Sequence, residues 1–197
     1  MAPSLALSYS SQGAIYGGIA AGWSLSIPEI KWDPRCGIDN LNVVDIDENE
    51  PDDLDRDCFV STLAGGRPLL LVTEPASADV LYSYRAQGDT SYARYQRLVP
   101  GPGGSPGGWR VLETSGVIHT FSGPTEKRMP LTSSIDAFGN EVEYVWSYLD
   151  DADGEGGNAY LLSHVLYTAN KAHNVRAHAK VSFTWAPDTS CGDMRLG

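Results

Sequence analysis

Glu141 and Glu143 are the first residues in this sequence whose type and spacing could support catalysis. Two carboxylates separated by one residue occur in ADP-ribosyltransferases, where one stabilises an oxocarbenium-like transition state and the other orients the acceptor. The same spacing is typical of the solvent face of an amphipathic strand. Because no upstream arginine strand or Ser-Thr-Ser motif accompanies the pair, we predict that both glutamates face solvent and are not catalytic.

Serine and histidine motifs also predict no catalytic or metal site. The stretch Gly22–Ser26 begins like a nucleophile elbow, but Ser26 stands where the second glycine is required and no helical pattern follows. His164, His173 and His178 lie close in sequence, yet they lack the accompanying cysteines or HExxH spacing of a zinc site. We therefore interpret these histidines as surface imidazoles.

Acidic residues are concentrated in two segments of the chain. The 197 residues include 14 Lys and Arg against 25 Asp and Glu, a net charge of -11. Segment 45–57 carries eight carboxylates and one arginine, and segment 150–155 carries four carboxylates, so the rest of the chain is formally neutral. Nucleic acids and anionic membrane surfaces select clusters of Lys and Arg, so this distribution excludes both as partners.

The first acidic segment offers a candidate calcium loop. Asp45, Asp47 and Asn49 could supply oxygens at its first, third and fifth positions. Glu50 stands where an EF-hand needs glycine, and Arg56 stands where it needs a bidentate glutamate, which excludes an EF-hand. An irregular calcium site and a plain solvated loop both remain open. We assign no cofactor.

Two of the three cysteines, Cys36 and Cys58, flank this acidic segment, and Cys191 lies near the end of the sequence. A disulfide between Cys36 and Cys58 would close about 20 residues and contribute roughly 3 kcal/mol through the unfolded state. Two free thiols in a cytosolic protein are the alternative. Residue spacing alone decides neither this question nor the state of Cys191.

Hydrophobic residues alternate with a period of two, which predicts an antiparallel all-β chain of strands and hairpins. The clearest elements are a hairpin around Thr114–Gly116 and a three-stranded meander over 142–185. The Gly- and Pro-rich segment 100–108 is a connector between strands. We treat 1–197 as a single β domain that forms part of a β-shell or a sandwich-like sheet.

No secretion signal or membrane-spanning segment is evident. The N-terminus lacks a basic and apolar leader, and no apolar run approaches the ~18 residues of a membrane span. We therefore expect no membrane insertion by this segment. The chain is either cytoplasmic or a piece of a longer exported protein. The second interpretation is favoured because a β-like segment begins within a few residues of Met1 and the sequence stops at Asp193–Gly197 without a helix or tail.

Four stretches of the sequence resemble one family. They are Pro3–Ser11, Gly17–Ile30, Trp109–Pro124 and Asp136–Tyr144, and the later stretches Tyr160–Thr168 and Val181–Asp188 fit the strands that follow in the same family. Together they resemble the SpvB-like N-terminal domain, which occurs in Tc insecticidal toxin B components and in Rhs-type proteins. The segment Ile19–Ala21 and the acidic insert depart from the family pattern. The surroundings of Cys36 and Cys58 resemble a cysteine pair of Rhs relatives, which favours the disulfide.

The resemblance implies a structural role. We expect a non-enzymatic shell or scaffold domain of a secreted toxin-complex or Rhs-type protein, cytoplasmic before export, which helps to enclose or deliver a C-terminal effector. Its partners would be the remainder of the polypeptide or other toxin subunits, and any ADP-ribosyltransferase activity would belong to a C-terminal domain. The alternative is a self-contained β-sandwich that binds carbohydrate or a cell-surface partner through exposed tyrosines, namely Tyr82, Tyr84, Tyr92 and Tyr95.

Overall fold

The computed structural model describes residues 1–3, 5–10, 23–33, 59–72, 77–101, 107–123, 128–149 and 159–185. Within these ranges the chain forms thirteen β-strands and a single turn of 3-10 helix at Thr62–Ala64. The strands are β1 (Leu7–Tyr9), β2 (Trp23–Leu25), β3 (Glu29–Trp32), β4 (Phe59–Ser61), β5 (Arg67–Val72), β6 (Val80–Ala86), β7 (Arg94–Leu98), β8 (Trp109–Leu112), β9 (Ile118–Phe121), β10 (Arg128–Ile135), β11 (Asn140–Leu149), β12 (Ala159–Asn170) and β13 (Ala179–Ser182). The predicted all-β, antiparallel class is confirmed.

Strands β3 to β10 close into a barrel-like ring of eight antiparallel strands. β10 completes the ring because it has two ring neighbours: Arg128–Pro130 pairs with β3, and Leu131–Ile135 pairs with β9. The register of β9 against β10 shifts between Leu131 and Ser133. An eight-stranded ring has an interior just wide enough for side chains to fill.

The other strands of the main sheet extend away from the ring. On the edge of β10 that holds β3, residues Ser133–Ile135 pair with β11, and β12 and β13 follow in order. This is the predicted meander. β1 and β2 form a separate two-stranded ribbon. β10 is therefore shared between the closed ring and the extended sheet.

One hydrophobic core fills the ring and continues under the extension. Its largest fully buried side chains are Trp109, Tyr84, Tyr95 and Phe121. The Trp109 ring lies 5.0 Å from the rings of both Phe59 and Tyr84, in tilted and edge-on geometries that aromatic pairs favour. The period-two alternation of the sequence thus supplies the inward face of the ring.

The predicted hairpin is also present, as β8 and β9 with Gly116 at φ +84° in the turn. Of the predicted connector 100–108, residues 102–106 lie outside the described ranges. At its end, Gly108 accepts a backbone hydrogen bond from Leu98 at 2.8 Å, which attaches β8 to β7. No helix in the described part of the chain is both long and apolar enough to cross a membrane.

Candidate functional site

The glutamate pair on β11 is not assembled into an acid–base site. Glu141 is buried, and its carboxylate lies 2.7 Å from Nζ of Lys171. Glu143 is exposed. The register of β11 against β12 shifts between the two residues, which separates their environments. The prediction that both face solvent is therefore wrong for Glu141, which instead ties β11 to the turn after β12.

The serine and histidine motifs are dispersed. Ser24 lies within β2 and its hydroxyl is 2.7 Å from that of Ser8, so this serine occupies an exposed strand and not an elbow. His164 is half-buried beside Ser163, while His173 and His178 are exposed. In the described ranges, no three His, Cys, Asp or Glu side chains come close enough to hold a metal ion.

The four tyrosines do not form the exposed platform that the binding-module alternative requires. Tyr84 and Tyr95 are directly opposite each other in β6 and β7 and are 0% and 2% exposed. Tyr82 is half-buried, and only Tyr92 is largely exposed. The period-two pattern itself is correct, but closure of the sheet turns this face into the interior. The carbohydrate-binding alternative therefore lacks the exposed tyrosine surface that it requires.

Sequence reasoning missed a polar row on the inward face at one end of the ring. Oγ of Ser134 lies 2.8 Å from Nδ1 of His119, and Nε2 of the same imidazole lies 3.1 Å from Oε1 of Glu113. Ser115 donates a hydrogen bond to the other carboxylate oxygen at 2.9 Å. These residues are up to 21 positions apart, so their adjacency becomes visible only when β8, β9 and β10 are aligned.

A cavity of about 310 Å³ adjoins this row. Ser134 and His119 line it together with the apolar side chains of Leu131 and Val142 and the ring of Tyr144. Burial raises the pKa of Tyr144, so its phenol stays protonated well above neutral pH. Ser26 lines it as well, so the cavity combines apolar walls with four side chains that can form hydrogen bonds.

The Asp136–Asn140 turn between β10 and β11 is held by its own side chains. The Asp136 carboxylate accepts hydrogen bonds from the backbone N–H groups of Phe138 and Asn140, each at 2.9 Å, and from Nδ2 of Asn140 at 2.8 Å. The Asn140 side chain is the main reason that the pKa of Asp136 lies below its ordinary value. The Asp136–Asn140 part of the sequence motif thus has a structural role, because its side chains stabilise the turn.

A second set of bonds attaches that turn to the end of β12. Asn170 donates from Nδ2 to the Phe138 carbonyl at 3.1 Å, and the Lys171 N–H donates to the Gly139 carbonyl at 2.8 Å. Gly139 has φ +82°, a conformation that side chains disfavour. The turn therefore sets the relative position of three strands.

β13 has an open edge within the described ranges. It pairs with β12 through Tyr167↔Ala179 to His164↔Ser182, and Phe183 donates to the Ser163 carbonyl at 2.9 Å. Backbone groups alternate in direction along an antiparallel strand, so Val181 also bonds to β12. Lys180 and Ser182 consequently direct their N–H and C=O groups towards the side where no strand is described.

Several predicted site residues lie outside the described ranges. These are the calcium candidates Asp45, Asp47 and Asn49 and the cysteines Cys36, Cys58 and Cys191. The calcium site and the disulfide therefore remain predictions.

Comparisons with known proteins give a clear answer only for structure. No protein-family model matches the chain, and no curated protein matches it in sequence. The N-terminal domain of the effector protein SpvB from Salmonella typhimurium strain LT2 matches with a TM-score of 0.61 and 19% identity, covering 86% of this chain and 60% of that chain. The chain has an SpvB-like fold.

Tc toxin structures share the SpvB-like fold. TcdB2-TccC3 matches with a TM-score of 0.59 and 18% identity over 85% of this chain and 9% of that chain. The Tc holotoxin pore of Photorhabdus luminescens matches with a TM-score of 0.62 and 20% identity over 85% of this chain and 8% of that chain. The chain thus spans under a tenth of the Tc chains. The resemblance predicted from the sequence is confirmed at the level of the fold.

Proposed function

We propose that this chain is a structural domain of a secreted toxin-complex or Rhs-type protein, where it forms one part of a wall around a C-terminal effector. Its partners are the remainder of that polypeptide and other toxin subunits. The SpvB-like fold supports this role because the solved Tc chains that contain it are more than ten times longer than the matched part. The role requires no chemistry of its own.

The open edge of β13 is the observation that carries the proposal. A strand edge presents unpaired N–H and C=O groups that pair readily with a further strand. Phe183 and Trp185, whose rings stack 6.4 Å apart, follow this strand and are only half-buried. As far as the chain is described, backbone groups and apolar side chains thus lie together at an edge from which a wall could continue beyond β13.

The same edge supplies a specific test. Ser182→Pro removes an N–H that is directed away from β12 and places a ring in the path of an added strand, while the bonds of Val181 and Phe183 to β12 remain. Ser182→Ala keeps the N–H and is the matched control. The test uses the complete product of the gene that encodes this chain, digested with trypsin.

We expect the C-terminal segment to resist trypsin in the unmodified protein and in Ser182→Ala, and to be cleaved in Ser182→Pro. A C-terminal segment that is digested as fast in the native product as in the urea-unfolded product would contradict the role. For the isolated 197 residues we expect self-association that Ser182→Pro lowers. A sharp monomeric sedimentation peak with cooperative melting would argue against an edge that needs a neighbour.

A further inference from the structure

The Ser134, His119 and Glu113 side chains form a relay beside a cavity, and this arrangement goes beyond a wall role. We propose that Ser134 is a nucleophilic serine, activated by His119 and Glu113, which is acylated by small carboxylic esters that enter the cavity. The sequence predicted no catalytic residue in this chain.

The hydrogen bonds define the role of each nitrogen in the neutral imidazole. Glu113, as a carboxylate, can only accept, so the proton of His119 lies on Nε2, 3.1 Å from the carboxylate oxygen. Nδ1 is then a lone-pair acceptor, 2.8 Å from Oγ of Ser134. A nucleophile within reach of a base that a third group orients is the diagnostic arrangement for an activated serine.

Strand register holds the three side chains in place. Ser134 is directly opposite His119 in the β9–β10 pair, and Glu113 follows the end of β8, the other neighbour of β9. Ser134 is 5% exposed, and the side chain of His119 is 12% exposed. Ser134 and His119 are therefore fixed on adjacent strands and largely screened from water, which preserves their geometry better than a loop would, while the Glu113 side chain, just beyond β8, is 34% exposed.

The cavity provides room for a reactant and a donor for the developing charge. Its volume of about 310 Å³ suits a small acyl group against the apolar side chains of Leu131 and Val142. Tyr144 lies two residues after Val142, which pairs with Ser134, and it lines the same cavity. Its protonated phenol is a hydrogen-bond donor of the type that stabilises an oxyanion.

The reaction is an acyl transfer. Oγ of Ser134 forms a bond to the ester carbonyl carbon, and its proton passes to Nδ1 of His119. The alcohol leaves with that proton as the carbon–oxygen ester bond breaks, which gives acyl-Ser134. Water then attacks the acyl carbon and loses a proton to Nδ1. The bond between the acyl carbon and Oγ breaks, the carboxylic acid leaves, and the proton on Nδ1 passes to Oγ of Ser134.

The chain contains a built-in comparison. Oγ of Ser163 lies 3.1 Å from Nδ1 of His164, but in the described part of the chain His164 has no carboxylate partner. Ser163 does not line the cavity described above. If contact with histidine alone made a serine reactive, Ser163 would react like Ser134.

The test is labelling of the complete product of the gene that encodes this chain with a fluorophosphonate probe, which forms a stable phosphonyl ester with activated serines and releases fluoride. We expect an adduct that mass spectrometry maps to Ser134 and a p-nitrophenolate burst with p-nitrophenyl acetate. Labelling should disappear in Ser134→Ala, fall at least about 100-fold in His119→Gln and persist in Ser163→Ala. Glu113→Gln should slow it as well.

Site mapping on the unmodified chain does not depend on whether any variant folds. No adduct on the native chain, or an adduct rate equal to that of the urea-unfolded chain, would overturn the proposal and leave the relay as a structural hydrogen-bond network. An adduct that maps to Ser163, or that survives in a folded Ser134→Ala chain, would overturn it too.

Discussion

Replacing Gly139 by alanine tests whether the Asp136–Asn140 turn fixes the extended sheet. Alanine at φ +82° costs about 1–2 kcal/mol in backbone strain. The loss of unfolded-state freedom offsets roughly 0.4–1 kcal/mol of that cost. A new Cβ would also lie 2.7 Å from Cβ of Ala172 and 2.9 Å from its backbone nitrogen, so one segment must move.

That movement determines how much stability Gly139→Ala removes. The hydrogen bonds from Lys171 to Gly139 and from Asn170 to Phe138 connect the two segments, and each contributes about 1 kcal/mol. We therefore expect Gly139→Ala to lower the free energy of unfolding by about 2–4 kcal/mol. Such a loss is a large part of the stability of an ordinary domain.

Gly66→Ala is the matched control. Gly66 has φ +78°, and nothing lies within 4 Å of the position that its Cβ would occupy. Gly66→Ala has the same backbone strain and the same effect on the unfolded state but no steric contact, so we expect the free energy of unfolding to fall by about 0–1.6 kcal/mol. Urea unfolding followed by tryptophan fluorescence gives both values. In the double variant, Ala172→Gly should restore part of the stability that Gly139→Ala removes.

Equal losses in Gly139→Ala and Gly66→Ala, within about 0.5 kcal/mol, would refute the reasoning. The turn would then be an ordinary surface hairpin, and its contacts with the segment after β12 would not determine the position of that strand.

Three further predictions concern other parts of the chain. Burial raises the pKa of Tyr95 above its value in the unfolded chain, which is near 10. The contribution of Tyr95 to stability is therefore complete below about pH 10 and is lost as the pH rises above that value. Tyr95→Phe should flatten this alkaline decline of the free energy of unfolding, measured in urea. Trp146→Phe removes the hydrogen bond from Nε1 to the Leu131 carbonyl at 2.9 Å and should cost about 1–2 kcal/mol, measured by thermal melting at neutral pH. If Cys36 and Cys58 form a disulfide, thiol titration of the unfolded chain should find one thiol before reduction and three afterwards; three thiols at the outset in protein isolated under oxidising conditions would exclude it.

The sequence predicted strands well because side-chain alternation is local. The inward face containing Trp109 and Val111 and the turn at Gly116 follow from neighbouring residues. Closure could not be predicted in the same way, since β3 and β10 meet across 99 residues between Glu29 and Arg128. The exposed tyrosines of the alternative interpretation depended on this unpredicted closure: Tyr84 lies on a strand face that would be exposed in an open sheet but is buried inside the ring.

In the candidate site too, the sequence predicts local contacts but not contacts between distant residues. Asp136 and Asn140 could be recognised because their bonds span four residues. The complete Ser134 relay could not, because Ser134 and His119 lie on different strands, Glu113 follows a third, and such residues have no fixed spacing in sequence. Part of the relay does have a sequence signal. Alternation places Glu113 on the same face of the hairpin as Val111, and His119 on the same face as Phe121. When the hairpin register is extended from the turn at Gly116, Glu113 and His119 become neighbours on that face, so the hairpin pattern indicates these two residues but not Ser134.

The sharing of β10 has a consequence for the order of folding on the ribosome. β3 emerges before every other strand of the ring, but its partner on β10 follows 99 residues later. At about 5–20 residues per second, that interval lasts roughly 5–20 s. During this interval the edge of β3 that pairs with β10 has no partner, and the ring around the aromatic core is not yet closed. When β10 arrives, it completes the ring and provides the starting edge for β11 in one event, so the growing chain changes from open to closed at a single point in translation.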